Sequence, residues 1–277
     1  MANPDLYAVF GHPIRHSQSP TIHRLFADQT GQVLEYVARD VPAENFEASL
    51  RDYVASGGRG LNCTIPLKEL AYGVADETSA RATHCGAVNT LVLRKDGSLF
   101  GDNTDGIGLV RDLQQNLGIP LHNLDILLLG AGGAGRGILG PILACRPGQV
   151  FVANRTATRA LDLVRQFDRQ GKLAGGALEQ LGGRCFDLVI NATAASLTND
   201  LPVLQDDILK PGGFCYDLAY ASQPTAFVRW GKMHGASVSV DGIGMLVEQA
   251  AEAFRLWRGV LPETASVIDH LNQARSG

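Results

Sequence analysis

The sequence predicts an α/β fold with two domains, and three observations lead to that prediction. The chain has 277 residues, about twice the length of an ordinary domain. Short apolar runs alternate with segments whose apolar residues recur every three or four positions, which is typical of strands and crossover helices in a parallel sheet. A glycine-rich turn joins one apolar run to a helical pattern, as is common where α/β domains bind nucleotides.

The first part of the chain reads as alternating strands and helices. The predicted elements are a strand at Tyr7–Phe10, a helix from Ser19 to Gly31, a strand at Val33–Val41, a helix at Phe46–Val54 and a strand at Leu61–Ile65. Ser19 is expected to cap its helix, because Pro20 follows at the first helical position. The order implies parallel pairing through crossover helices. Asp96-Gly97, between two further apolar runs, predicts a hairpin.

A second series of strands and helices begins near Ile107. Its apolar runs lie at Ile126–Leu129, Val150–Ala153, Leu188–Ile190 and Phe214–Asp217. Helical patterns separate these runs, which indicates a second parallel α/β domain. A final amphipathic helix is predicted at Met245–Arg258.

The composition argues against several classes of protein. Hydrophobic residues make up 45% of the chain and charged residues 19%, which is typical of globular proteins. The formal net charge of −4 argues against nucleic-acid binding, which needs a basic surface. We expect no membrane span, since no apolar stretch is long enough. The five cysteines lack metal-ligand spacing, so we expect free thiols, no metal site and a cytoplasmic protein.

The segment Gly130-Ala131-Gly132-Gly133-Ala134-Gly135 fits the pattern G-x-G-x-x-G. It directly follows a predicted strand and precedes a helical pattern, which is the context of a Rossmann-type dinucleotide-binding domain. Gly130 would make the tight turn, and Gly132 would let the backbone approach a pyrophosphate at the helix N-terminus. We therefore predict a dinucleotide site at Gly130–Ala134. The alternative is a glycine-rich turn that binds nothing.

The end of the next strand indicates which dinucleotide binds. An NAD site usually carries an acidic residue there, which bonds the ribose hydroxyl. Here the segment reads Asn154-Arg155-Thr156-Ala157-Thr158-Arg159 and contains no acid. Because a guanidinium suits a phosphate, we predict NADP, with Asn154, Arg155, Thr156 and Arg159 in its site. The alternative is that both arginines are solvated surface residues.

Polar residues of the first domain cluster at strand-to-helix junctions, where α/β sheets bind ligands. The segments are Ser17-Gln18-Ser19-Pro20, Asn62-Cys63-Thr64-Ile65-Pro66-Leu67-Lys68, and Asn89-Thr90 with Gly101-Asp102-Asn103-Thr104-Asp105-Gly106. Lys68 falls in the first turn of a predicted helix, where the dipole disfavours a cation, so it could exchange protons with a substrate. Helix capping is the alternative for Ser19, Asn103 and Asp105, and plain exposure is the alternative for Lys68.

Taken together, these segments resemble the shikimate dehydrogenase family. Two further segments, Gly86-Ala87-Val88-Asn89-Thr90 and Gly242-Ile243-Gly244-Met245-Leu246-Val247-Glu248-Gln249, extend the resemblance. The motifs occur in the family's order from about Tyr7 to Pro262. The resemblance implies an NADP-dependent enzyme that reversibly reduces 3-dehydroshikimate to shikimate in aromatic amino-acid biosynthesis.

The resemblance also implies roles for individual residues. By motif position it assigns substrate binding to Ser17, Ser19, Thr64, Lys68, Asn89, Asp105, Tyr220 and Gln249, and it adds Thr193 and Gly242 to the cofactor site. The two serines would bind the substrate carboxylate, and Lys68 and Asp105 would form the catalytic pair. His16 and His84, which lie near the same segments, are rival proton donors. Three positions depart from the family pattern: His12, Ala194 and Ala219.

The resemblance divides the chain into two α/β domains that flank a cleft. Residues 1–104 and 242–277 would form the substrate-binding domain, and residues 105–241 the NADP-binding Rossmann domain. Two other functions stay open: a relative that oxidises quinate, often with NAD, and a nucleotide-sensing module without turnover. The expected partner is a small-molecule substrate, and the oligomeric state is open between monomer and homodimer.

Overall fold

A computed structural model of the chain describes residues 4–167, 172–193, 195, 200–201 and 204–276. The chain divides into two compact units. Unit 1 comprises Met1–Gly108 and Val247–Asp269, and unit 2 comprises Leu109–Leu246 and His270–Gly277. Each unit is built on its own six-stranded sheet, which confirms the prediction of two α/β domains.

The sheet of unit 1 mixes parallel and antiparallel strands. Its strands are β1 (Asp5–Gly11), β2 (Leu34–Asp40), β3 (Gly58–Cys63), β4 (Glu77–Thr78), β5 (Thr90–Leu93) and β6 (Leu99–Asp102), in the order β2-β1-β3-β5-β6-β4. β1 pairs parallel with β2 and β3, as the predicted β-α-β-α-β series requires. β5 and β6 are antiparallel and form the hairpin predicted at Asp96-Gly97.

Among the described residues, four α-helices lie wholly in unit 1: α1 (Ser19–Thr30), α2 (Phe46–Ala55), α3 (Lys68–Val74) and α4 (Ala80–Cys85). Unit 1 also contains the larger part of α9 (Ile243–Arg258) and the starts of α5 (Asp105–Arg111) and α10 (Ala265–Ser276), which both continue into unit 2. α2 buries Phe46, Leu50 and Tyr53, which recur at the helical spacing. The prediction that Ser19 caps α1 is wrong by one position. Gln18 occupies the N-cap, Ser19 begins the helix, and Gly31 ends it with a φ of 63°.

Unit 2 is a doubly wound parallel sheet. Its strands are β7 (Asp125–Leu129), β8 (Gln149–Ala153), β9 (Leu173–Gly176), β10 (Phe186–Asn191), β11 (Leu209–Asp217) and β12 (Val238–Val240), in the order β12-β11-β10-β7-β8-β9. All five pairings are parallel. This is the Rossmann strand order, which reverses direction between the first and fourth strands, here β7 and β10.

The helices of unit 2 follow the strands. They are α6 (Gly133–Ala144), α7 (Ala157–Phe167), α8 (Ala226–Met233), the start of α9, and part of α10 (Ala265–Ser276). Ile126, Leu128, Val150, Val152 and other fully buried strand residues form the core beneath α6 and α7. The carboxyl ends of β7 and β10 therefore lie at the point where a doubly wound sheet binds its ligand.

Two features are absent from the part of the chain that the structure describes. No helix there combines the length and the apolar character that a membrane crossing needs. No three His, Cys, Asp or Glu side chains there are grouped so that they could hold a metal ion.

A histidine lies buried in an aromatic group of unit 1. The His23 ring stacks on Tyr36 with centroids 4.2 Å apart and an interplanar angle of 9°. Phe26, Phe254 and Trp257 surround it within 6.2 Å between ring centroids. Burial lowers the pKa of His23 to about 3, so the folded chain holds this ring neutral.

We expect this histidine to make the free energy of unfolding fall as the pH drops below about 6.5. Between pH 6.5 and 3 the unfolded chain binds a proton at His23 that the folded chain does not, so stability decreases by up to about 1.4 kcal/mol per pH unit. Urea unfolding at pH 7.5 and 4.5 measures the difference. His23→Phe should lose about 2–3 kcal/mol less than the parent over that interval, whereas His122→Gln, at an exposed position, should match the parent. Equal losses in all three proteins would mean that His23 is protonated while folded.

Candidate active site

Lys68 and Asp105 lie at the starts of two helices of unit 1. A turn after β3, closed by the Leu67 N–H donating to the Thr64 carbonyl at 2.7 Å, places Lys68 at the first position of α3. Asp105 begins α5, three residues after the end of β6. Lys68 Nζ donates to Asp105 Oδ2 at 2.5 Å, and the side chains are 21% and 10% exposed. The fold thus brings the predicted pair into a partly shielded contact.

Asn89 joins this pair to α9. Its Nδ2 donates to Asp105 Oδ1 at 2.8 Å, to Thr104 Oγ1 at 3.0 Å and to Gln249 Oε1 at 3.3 Å. Its Oδ1 accepts from the Thr104 N–H at 2.9 Å. Thr104 Oγ1 also donates to Gln249 Oε1 at 3.3 Å. One buried amide therefore orients both Asp105 and Gln249.

A second amide links this cluster to β2 and α1. Asn62 Nδ2 donates to the Asn89 carbonyl at 3.1 Å and to Thr90 Oγ1 at 3.0 Å. Its Oδ1 accepts from the Tyr36 hydroxyl at 2.7 Å. Burial raises the pKa of Tyr36 well above 10, against a smaller lowering by the Ser19 hydroxyl. The polar segments predicted from the sequence are therefore joined through buried side chains.

The remaining candidates of unit 1 lie beside these residues. Ser17 Oγ accepts from the Ser19 N–H at 3.3 Å at the start of α1. Thr64 is half-buried, and its methyl group fills the space beside Gly11, where a Cβ would lie 2.3 Å from Thr64 Cγ2. His12, one of the departures from the family pattern, is exposed, and its Nδ1 lies 2.9 Å from Asp40 Oδ1.

The local contacts of Asn103, Asp105 and the two rival histidines differ from one another. Asn103 makes a local turn before α5, in which its Oδ1 accepts from the Asp105 N–H at 3.1 Å. The Asp105 carboxylate instead contacts Lys68 and Asn89. His16 is exposed, and His84 is exposed on α4 with its Nδ1 2.6 Å from the Ala80 carbonyl oxygen.

The glycine turn of unit 2 has the geometry of a dinucleotide cradle. Gly130 has a φ of 101°, which favours glycine. A Cβ on Gly135 would lie 2.2 Å from the Gly130 carbonyl oxygen, so the third glycine permits close packing of helix on strand. A Cβ on Gly132 or Gly133 would meet nothing within 4 Å. The open space beside the N-terminus of α6 fits a pyrophosphate.

Asn154 connects the glycine turn to the turn that carries the two arginines. Its Oδ1 accepts from the Ala131 N–H at 3.2 Å, and its Nδ2 donates to the Thr156 carbonyl at 2.9 Å. Arg155 and Arg159 are both exposed at the start of α7. The guanidinium groups are thus accessible to a phosphate that lies beside the end of β8.

Thr193 borders the glycine turn from the end of β10. Its N–H and Oγ1 donate to Asn191 Oδ1 at 3.1 and 2.7 Å, and its Cγ2 lies 3.2 Å from where a Gly130 Cβ would be. Asn191 Nδ2 donates to Asp217 Oδ1 at 3.2 Å, which ties β10 to β11. Ala194, one of the departures from the family pattern, lies outside the described residues.

Gly242 and Tyr220 lie close to each other in unit 2. The Gly242 N–H donates to the Ala219 carbonyl at 3.1 Å. A Cβ on Gly242 would lie 2.3 Å from the Leu218 carbonyl oxygen, so the close approach requires glycine. Tyr220 is half-buried, and burial raises the pKa of its hydroxyl.

Sequence reasoning missed a buried pair that supports the start of α9. The Tyr216 hydroxyl donates to Asp112 Oδ2 at 2.6 Å and accepts from the Met245 N–H at 3.2 Å. A Cβ on Gly244 would lie 2.0 Å from Asp112 Oδ1. Asp112 begins a π-helical turn, Asp112–Asn116, a local geometry that hydrophobic periodicity does not reveal.

Comparisons with known proteins identify relatives along most of the chain. Three family models match: the shikimate dehydrogenase substrate binding domain at residues 9–91, shikimate/quinate 5-dehydrogenase at residues 112–205, and the shikimate 5'-dehydrogenase C-terminal domain at residues 242–271. A shikimate dehydrogenase (NADP(+)) of Methylococcus capsulatus is 62% identical over 275 residues, which cover 99% of either chain.

Two solved structures share the fold over nearly the full length. A shikimate 5-dehydrogenase from Thermus thermophilus, in complex with NADP(H) and shikimate, is 37% identical and superposes with a TM-score of 0.85, covering 98% of this chain and 99% of that one. An Ael1 enzyme from Pseudomonas putida is 46% identical, with a TM-score of 0.90 over 96% of this chain and 98% of that one.

Proposed function

The chain belongs to the shikimate dehydrogenase family, and on that premise we propose that it reversibly reduces 3-dehydroshikimate to shikimate with NADPH, as a step of aromatic amino-acid biosynthesis. The observation that carries the proposal is the contact between Lys68 and Asp105, 2.5 Å from Nζ to Oδ2. It brings the two side chains that would act as proton donor and orienting carboxylate together in one cluster of polar side chains. The same chain carries a glycine cradle in unit 2 that fits a dinucleotide.

In this proposal Lys68 is the proton donor. NADPH, when bound, supplies the hydride that the carbonyl carbon accepts. The Lys68 ammonium gives a proton to the carbonyl oxygen as charge develops there, so that the ketone becomes a hydroxyl. Asp105 holds the ammonium in place through Oδ2, while Asn89 fixes the other carboxylate oxygen. In the reverse direction neutral Lys68 takes the hydroxyl proton.

The other residues of unit 1 would bind and orient the substrate. Ser17 precedes the N-cap of the 12-residue helix α1, and Ser19 is its first residue. Both lie at the end of the helix where backbone N–H groups and the dipole favour a carboxylate. Thr64, Asn89, Asp105 and Gln249 would hold the ring hydroxyls. The hydrogen bonds that Asn89 makes with Asp105 and Gln249 support this role, because a preorganised polar set loses little entropy on binding.

Unit 2 would bind NADP. Gly130–Ala134 would receive the pyrophosphate, and Asn154, Arg155, Thr156 and Arg159 would hold the adenosine end with its extra phosphate. Thr193 and Gly242 would complete the site. The proposed domains are residues 1–104 with 242–277 for substrate and residues 105–241 for NADP.

Initial rates on two substrates and two cofactors test the proposed function. Shikimate and quinate are each offered with NADP⁺ and with NAD⁺, and the reduced nicotinamide is followed by absorbance. We expect shikimate with NADP⁺ to give by far the highest kcat/KM. Comparable values for quinate would contradict the substrate assignment, and comparable values for NAD⁺ would contradict the role of the arginines. NADP⁺ binding without turnover of any such polyol would favour a sensing module.

A further inference from the structure

An arginine in unit 1 bridges two buried carboxylates that belong to different elements. Arg81 Nε and Nη2 donate to Asp102 Oδ1 and Oδ2 at 2.7 and 2.6 Å. The same Nη2 donates to Glu252 Oε1 at 3.2 Å. The side chains of Asp102 and Glu252 are only 3% and 1% exposed. Arg81 therefore compensates two charges that water does not reach.

The two carboxylates stand next to residues of the candidate active site. Asp102 ends β6, three positions before Asp105. Glu252 lies on α9, three positions and so about one turn after Gln249. The Arg81 guanidinium therefore connects the end of β6, which leads into Asp105, with the turn of α9 that follows Gln249.

We propose that Arg81 is a positioning residue for substrate binding, which sets the placement of Gln249 relative to Asp105. The inference rests on the proposed function, since it takes both residues as substrate ligands. Arg81 itself touches no reacting atom. It acts by holding α9 at the end of β6, so that the side chains one turn away converge on the substrate.

Gln249 accepts two bonds that are longer than those of the Arg81 bridge. Its Oε1 accepts from Asn89 and Thr104, each at 3.3 Å, and neutral bonds of that length are weak. The bidentate pair of Arg81 with Asp102 is shorter and charge-assisted, which makes it stronger and more directional. Without Arg81, Asp102 and Glu252 would lack a shared counter-charge, and α9 would move away from β6.

A neighbouring arginine offers a matched control. Arg255 donates to both oxygens of Glu252, at 3.0 Å from Nε and 2.7 Å from Nη2. It lies on α9 itself, three residues from Glu252, so this pair stays within one helix. Removing Arg255 takes a charge from the same carboxylate but leaves the connection between β6 and α9 intact.

Steady-state kinetics of shikimate oxidation by Arg81→Met, Arg81→Lys and Arg255→Met test the inference. We expect Arg81→Met to raise the KM for shikimate about tenfold or more, because a small misplacement of the residues that bind a substrate can cause a loss of this size. The KM for NADP⁺ should stay unchanged. Arg255→Met should stay within twofold of the parent. Arg81→Lys keeps the charge but loses the planar fork, so its KM should be intermediate.

The KM for shikimate distinguishes a positioning role of Arg81 from a merely structural role. Loss of folded protein lowers the maximal rate but leaves the KM of the remaining enzyme unchanged. An unchanged KM for shikimate in Arg81→Met overturns the inference, as does an equal rise in Arg255→Met. If Arg81→Met does not fold, a parent-like KM in Arg81→Lys overturns it. A parent chain that fails to turn over shikimate would instead refute the proposed function.

Discussion

Replacing Lys68 by Met is expected to lower kcat for shikimate oxidation by a factor of about 10² to 10⁴, the usual contribution of a positioned acid–base group. The methionine side chain nearly fills the space of the lysine but can neither give nor take a proton. The KM for NADP⁺ should change little, because Lys68 lies in unit 1 and the dinucleotide cradle is formed in unit 2. Stopped-flow or steady-state absorbance of the reduced nicotinamide measures the effect.

One control variant and one variant of the alternative proton donor test this prediction. Lys95 is exposed in the β5–β6 hairpin of the same unit, so Lys95→Met should behave like the parent. Turnover of Lys68→Met within a few-fold of the parent would remove Lys68 from the mechanism. A pH–rate profile that loses one limb in His16→Ala, but keeps it in Lys68→Met, would make His16 the proton donor.

The second large effect is expected at the arginine pair of unit 2. Each charged hydrogen bond to a phosphate contributes about 1.5–3 kcal/mol, which is a factor of about ten to 150 in affinity. The double variant Arg155→Gln with Arg159→Gln should therefore raise the KM for NADP⁺ at least tenfold while leaving the KM for shikimate unchanged. Its KM for NAD⁺ should not rise, since that cofactor lacks the extra phosphate.

Arg165 provides the control for that variant. It is exposed in the last turn of the same helix α7 and pairs with Asp162 at 2.9 Å. Arg165→Gln should leave both cofactor constants unchanged. An equal loss of NADP⁺ and NAD⁺ affinity in the double variant would show that the arginines support the fold of the turn rather than bind the phosphate.

The sequence was most informative about elements whose signal is local. The buried strand β7 and the glycine turn after it were both readable, because apolar runs and glycine spacing are properties of neighbouring residues. β9 was missed. Its residues Leu173–Gly176 have little strand propensity, and the strand exists because β8 offers a parallel edge and because Gly175 lets it pack closely against Val164.

Local sequence patterns predict the contacts of the candidate site even less well than they predict the strands. Motif spacing selected Lys68 and Asp105 separately, but only the resemblance to a known family paired them. They are 37 residues apart in sequence, and it is tertiary packing that brings them into contact. The bridge from Arg81 to Glu252 spans 171 residues, and no periodicity or local propensity carries that information.

Hydride transfer from NADPH to the substrate carbonyl carbon defines the proposed reaction, and isotope labelling tests it most directly. The purified chain is incubated with 3-dehydroshikimate and NADPH that carries two deuterium atoms at the reactive nicotinamide carbon, and the product is analysed by mass spectrometry. We expect shikimate one mass unit heavier than the unlabelled product, with the deuterium on the new carbinol carbon. Unlabelled shikimate, or no shikimate at all, would contradict it.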